Sequence, residues 1–187
     1  MFSRILVKLI DQSIVPALLL VTTKVVSSIL VANYFGIDFS FGQQGFTYKN
    51  VDEYLTVNSY SIFFMIVVVA VGISYILLKS LIFHESHIAP HVTARLFSLK
   101  LSYLIQASYD LYSQGTIWLS YLYLLMFASG ILALFSMIYS WVFWVSLALA
   151  AITTIVLIFD IENELDLRAP DKPSLEDVVV NLSHFNE

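Results

Sequence analysis

The chain has no cysteine and little charge. Of its 187 residues only 12% are Asp, Glu, Lys or Arg, about half of what an ordinary soluble domain carries. Without cysteine there can be no disulfide, thiolate nucleophile, Cys-ligated zinc, iron–sulfur cluster or palmitoyl anchor. Positive charge is scarce as well. Nine Lys and Arg residues are scattered through a chain of net charge −5, which leaves no basic patch and no electrostatic footprint for nucleic acid. There is no glycine-rich phosphate loop, no G-x-S-x-G and no pair of intramembrane aspartates, so neither an enzyme nor a cofactor is expected. What fills the chain instead is apolar: 59% hydrophobic and 15% aromatic residues, with a mean hydropathy of +0.83. That composition excludes disorder, which needs low hydrophobicity and high charge, and points to an integral membrane protein.

Four apolar runs stand out, at 12–34, 61–83, 116–138 and 141–159. Each is close to the ~20 residues that a helix needs to cross the hydrocarbon core. From Leu111 to Phe159 there is no Asp, Glu, Lys, Arg or His over 49 residues. As one helix this would be about 74 Å long, more than twice the core thickness. It must double back, and Tyr139-Ser140 is the expected turn, flanked by Trp141 and Trp144 as an aromatic belt at the lipid–water boundary. The fold class is therefore an all-α polytopic membrane bundle of four transmembrane helices. Basic residues at Arg4 and Lys8 precede the first run and no small-x-small site follows, so the first span reads as an uncleaved signal-anchor.

Lys and Arg set the orientation. Arg4, Lys8, Lys79, Arg95, Lys100, Arg168 and Lys172 fall on one side of a four-span chain, against Lys49 on the other. This predicts a cell (inner) membrane protein with both termini cytoplasmic. The loop 84–115 between the second and third spans carries Arg95, Ser98, Ser102, Gln106, Tyr109 and Ser113 in one helical stripe. It is expected to be an amphipathic cytoplasmic helix; the rival is a fifth span over 91–113, against which Lys100 and Asp110 weigh. In the outer loop 35–60, Ile37, Phe39 and Phe41 alternate with Asp38 and Ser40, and Gly-Gln-Gln-Gly then precedes Phe46-Thr47-Tyr48. That is a short hairpin signal. Asn50 and Glu53 have capping-box spacing and start a helix near Val51. The tail 160–187 is acidic. The fourth helix is expected to continue through Asp160–Glu164 into water, and the rest to be a solvated end or a docking peptide. The partners expected are the lipid bilayer and a membrane or cytosolic protein held by the tail or the outer loop, and the sequence is silent on oligomeric state.

Lys24 is the most informative residue. It lies near the middle of the first run, about 15 Å from either end at helical rise, too deep for simple snorkelling. A central cation costs about 2.5–3.5 kcal/mol on insertion scales. Thr23, Ser27 and Ser28 share or border its face and are expected to supply oxygens. Two readings stay open: an ion or partner site, or a lysine that only orients the helix. Arg4, Lys8 and Asp11 sit at steps of four and three on the entry of the same helix. This opening, Arg4-x-x-x-Lys8-x-Ile10-Asp11, resembles the first motif of the RDD family of small polytopic membrane proteins, in which an arginine precedes an aspartate at the start of the first span. The resemblance covers Arg4–Asp11 alone, and it implies a cation-transport role of the kind held by some members. His84, His87 and His91 are the one metal-like group, at i, i+3 and i+7 around Glu85. Three histidines can bind zinc, but headgroup-level histidines in a polar loop are the commoner explanation, and no metal is expected. On balance the sequence favours a non-enzymatic structural or interaction subunit of a membrane assembly, with a small-ion or solute transporter using Lys24 as the alternative.

Overall fold

The computed structural model describes residues 2–42, 45–83, 98 and 108–168. Along the chain come α1 (Phe2–Phe35), the strands β1 (Phe39–Gly42) and β2 (Gly45–Tyr48), α2 (Val51–Phe83), α3 (Ser108–Leu134) and α4 (Ser140–Arg168). Four segments, Ile10–Phe35, Val51–Lys79, Leu111–Leu134 and Ser140–Glu162, are long and apolar enough to cross a membrane. In lipid the backbone must satisfy its own hydrogen bonds, and the α-helix does so within one segment. The protein is an all-α, multi-pass membrane bundle.

The helices tolerate many hydroxyls because these donate back to the preceding turn. Thr23 donates to the Leu19 carbonyl at 2.6 Å, Ser59 to Leu55 at 2.6 Å and Thr154 to Ala150 at 2.6 Å. Each hydroxyl thereby satisfies its donor inside its own helix.

Two helices end in the same way. The amide of Ile37 donates to the Ala32 carbonyl at 2.8 Å across Gly36, whose φ is 66°. Met137 donates to Leu132 at 2.8 Å and Ser136 to Ala133 at 3.0 Å, with Ser136 at φ 55°. These are Schellman caps with a left-handed residue just past the helix. The second one reverses the chain over Phe135–Tyr139, centred earlier than the expected Tyr139-Ser140. A serine takes the left-handed position usually held by glycine, so no local signal marked it. Trp141 packs on Tyr60 and Phe63, with ring centroids 5.8 and 5.3 Å apart, while Trp144 faces outward.

The start of α2 follows the expected cap. A Glu53 carboxylate oxygen accepts from the Asn50 amide at 3.4 Å and from the Lys49 amide at 3.2 Å. The Asn50 side chain donates to the other Glu53 oxygen at 3.1 Å. Only half of a capping box forms, because the Asn50 amide turns toward Glu53 rather than toward the helix. Between α1 and α2 the strands pair antiparallel, with Phe39 opposite Tyr48, Ser40 opposite Thr47 and Phe41 opposite Phe46. The hairpin is held at its base by Val31, Ala32 and Val57, against which Ile37, Phe39 and Tyr48 pack. That anchor offsets the marginal stability of two isolated strands.

α2 is the central helix and packs against α1, α3 and α4. Ile62, Ile66, Val69, Ile73 and Ile76 form its buried face, at the alternating three- and four-residue steps of a single stripe. Leu20 of α1, Leu122 and Leu125 of α3 and Val142 and Ala150 of α4 complete the core. Small residues let the backbones approach. A Cβ built on Gly72 would lie 2.2 Å from the Trp118 ring, and one on Gly130 would lie 3.1 Å from Phe143. Ser129 and Ser146 are buried and share a 3.0 Å hydrogen bond between α3 and α4. Leu18, Val21, Phe127, Ile131 and Ile152 point outward and stay more than half exposed, as lipid-facing side chains do.

At the end of the bundle away from the hairpin, Pro16 is buried inside α1. Proline removes a backbone donor and loosens the preceding turn. The Tyr121 hydroxyl donates to the Ser13 carbonyl at 3.1 Å, and Ser113 donates to the Gln12 side chain at 3.1 Å. α3 is thus tied to α1 one turn before Pro16. Residues 108–115, assigned from the sequence to the amphipathic segment, form the first turns of α3. The remainder of that segment lies outside the described residues apart from Ser98, and so does the tail after Arg168. α4 does continue through Asp160–Glu164, as expected.

Candidate functional site around Lys24

Lys24 lies on α1 with its ammonium turned toward α2. Nζ donates to Asn58 Oδ1 at 2.6 Å and to Ser61 Oγ at 2.6 Å. Asn58 and Ser61 are three residues apart and so share a face of α2. The Ser61 hydroxyl donates in turn to the Asn58 carbonyl at 3.0 Å. Asn58 Nδ2 donates to the Met137 carbonyl at 3.0 Å and to the Tyr54 hydroxyl at 3.3 Å. This network fixes the amide's orientation, with its oxygen toward the cation and its nitrogen toward two acceptors.

The site therefore ties three parts of the fold together. Lys24 brings α1, Asn58 and Ser61 bring α2, and Met137 brings the turn between α3 and α4. A second link runs beside it. Ser59 Oγ accepts from the Tyr139 amide at 2.8 Å, and Thr56 and Tyr139 share a hydrogen bond of 3.1 Å. Asn58 is only about 10 Å along α2 from Val51 at helical rise, and the α3–α4 turn reaches the same level. Lys24 thus sits at the hairpin end of the packed bundle rather than at mid-depth. The early turns of α2 and the last turns of α1 project beyond that level.

The oxygens expected from α1 itself are used elsewhere. Ser28 donates to the Lys24 carbonyl at 2.7 Å, and Ser27 donates to the Thr23 carbonyl at 2.5 Å. Both serines are buried, but they satisfy backbone, not the ammonium. The structure does not bring Asp11 to Lys24: Asp11 is exposed on α1, about one and a half turns before Pro16. The Arg4 side chain lies outside the described residues. His84, His87 and His91 also lie outside the described residues, among which no group of metal-ligating side chains occurs. Asn58, Ser61 and Tyr54 were missed. They stand 34 and 37 residues away in the case of Asn58 and Ser61, and polar residues close to a helix start look like ordinary interface polarity.

Among the described residues no carboxylate pairs with Lys24; its partners are neutral oxygens. Cavities among the described residues border it. One of about 240 Å³ lies beneath β2, between Ser28, Tyr48, Tyr54 and Asn58. One of about 290 Å³ runs inward past Met65 and Leu125. One of about 400 Å³ forms a groove between α1 and α3, lined by Leu20, Val21, Val25 and Leu124. Near the same end, Tyr48 lies with its ring centroid 6.1 Å from that of Tyr54, and its hydroxyl is pushed above the usual tyrosine range by burial and by Tyr54. Outside the bundle, Lys49 and Asp38 form an exposed ion pair at 2.5 Å. It holds the Asp38 carboxyl below, and the Lys49 ammonium above, their ordinary ranges.

No family model matches the chain, and no curated protein or solved structure matches it.

Proposed function

We propose that this chain is a non-enzymatic, non-conducting structural or interaction subunit of a membrane assembly, lying in the cell membrane with both ends cytoplasmic and the hairpin outside. One observation carries the reading: the bonds that Lys24 makes with Asn58 and Ser61 join two helices, and the interior below them is aliphatic. Ile66, Val69, Leu122 and Ile73 fill the next turns and are at most 3% exposed. A permeating ion would need polar groups at those levels to replace its water. The orientation is supported by the distribution of Lys and Arg outside the first span, with Lys49 alone in the loop on the hairpin side.

The experiment is recovery of the chain from its own membrane in native nanodiscs, followed by native mass spectrometry. A stoichiometric second protein supports the reading, and a chain recovered with lipid alone overturns it. The cavities that meet at Lys24 favour a second reading, a transporter. Ion flux in reconstituted vesicles above that of empty vesicles, abolished by Lys24→Leu in a folded protein, would establish that reading instead.

A further inference from the structure

We propose that the chain holds an anionic membrane lipid, with its headgroup phosphate at Lys24 beneath β2 and one acyl chain in the groove between α1 and α3. The inference is independent of the subunit reading, since a bundle that assembles with nothing would still carry the site.

The first argument is donor capacity. A lysine ammonium has three N–H bonds and no acceptor. Two are used by Asn58 and Ser61; among the described residues the third has no partner. The Tyr54 hydroxyl accepts from Asn58, which leaves its own hydrogen to donate. Tyr48, Tyr54 and Lys24 line the same cavity under β2. These are donors for phosphate oxygens, and the cation has no carboxylate partner of its own there.

The second argument is the shape that continues from this cavity. Lys24 lines both the cavity under β2 and the α1–α3 groove. The groove follows α1 from Lys24 back to Ala17, about 10 Å at helical rise. Its other walls are Met65, Tyr121 and Leu124–Leu125. Leu124 is 62% exposed and Val21 is 65% exposed, so the groove opens sideways on the face that meets lipid. A cavity that holds a cation with no carboxylate partner, joined to an apolar slot open to the bilayer, matches an amphiphile and not a water-soluble anion. The depth agrees. Lys24 is level with the α3–α4 turn, where the packed bundle ends, and a headgroup in that leaflet would lie there with its chain running inward along α1.

The test uses the full chain in detergent and native mass spectrometry with phosphatidylglycerol and phosphatidylcholine of identical acyl chains. The expected result is preferential retention of phosphatidylglycerol by roughly tenfold: both lipids offer the phosphate, but phosphatidylcholine also brings a quaternary ammonium that repels the Lys24 cation. Lys24→Gln should abolish the preference, Lys24→Arg should keep it, and Leu124→Trp should reduce retention of both lipids by filling the groove. Glycerol phosphate, the headgroup without chains, should not displace bound lipid. Equal retention of the two lipids by the unaltered chain overturns the proposal, and this comparison needs no variant to fold. Undiminished preference in folded Lys24→Gln overturns it too. Displacement by glycerol phosphate, with Leu124→Trp neutral, would replace the lipid with a free-anion site and also overturn it.

Discussion

Lys24 of α1 and Asn58 of α2 meet at 2.6 Å, and through its other end Asn58 holds the Met137 carbonyl at 3.0 Å. One amide side chain therefore joins a cation on the first helix to the turn between the last two. The bond is an interhelical hydrogen bond to a charged group, the kind whose loss leaves a buried donor without its acceptor.

Asn58→Leu should destabilise the bundle by about 1–3 kcal/mol, since it removes an acceptor from the ammonium and a donor from Met137 together. Asn58→Gln has the right groups on a longer arm and should recover part of the loss. Thermal melts of the detergent-solubilised chain, followed by circular dichroism, measure both. A melting point for Asn58→Leu equal to that of the unaltered chain would show that the network adds nothing to stability.

Gly72→Ala should be costly although the change is a single methyl. Its Cβ would lie 2.2 Å from Trp118, so the indole must move in a packed interface. Overpacking of this kind costs about 1–3 kcal/mol. Trp118→Leu should relieve the clash, so the pair should be less destabilised than the sum of the two single changes. Additive losses would mean that Gly72 matters for another reason.

The two left-handed caps should respond with opposite signs. Gly36 has open space where a Cβ would go, so Gly36→Ala meets only the backbone penalty of its φ, about 1–2 kcal/mol. Ser136 already bears that penalty, and Ser136→Gly relieves it while raising the entropy of the unfolded chain. Its net effect should be neutral to stabilising by up to about 1 kcal/mol. Loss of stability in Ser136→Gly, measured in the same melts, would contradict the assignment of that turn.

The Asp38–Lys49 pair should be visible in titration and almost absent from stability. Asp38 titrates below its ordinary range in the folded chain, so what it contributes is present above the unfolded carboxylate value and lost as pH falls through the folded one. Lys49 titrates above its ordinary range, so its contribution is present below the unfolded lysine value and lost as pH rises through the folded one. Between those limits the pair is intact, but both side chains are exposed and screened by salt. Lys49→Met should return the Asp38 carboxyl to its usual range by NMR titration, with an unchanged melting point. An Asp38 titration indifferent to that substitution would show that the pair does not form in solution.

Much of the architecture could be read locally. Uninterrupted apolar length forces helices wherever lipid replaces water, so four spans were legible from 12–34, 61–83 and the charge-free stretch Leu111–Phe159. The alternation around Phe39 and Phe41 marked β1, and Asn50 with Glu53 marked the start of α2, because both features act between near neighbours in the chain. The turn at Ser136 was placed late, since a left-handed serine has no compositional signature and the aromatic residues after it drew the boundary toward Tyr139.

By itself the sequence determined that the chain is a membrane bundle and that Lys24 needed compensation, because hydrophobic length and the cost of a charge in hydrocarbon are properties of single segments. Which groups answer that cation was decided only by packing. Thr23, Ser27 and Ser28 are its neighbours in the chain, yet a helix already offers their hydroxyls carbonyls one turn back. Asn58 and Ser61 reach Nζ because α2 docks beside α1, and Met137 reaches Asn58 because the α3–α4 turn ends at that level: long-range geometry that no local pattern of residues encodes.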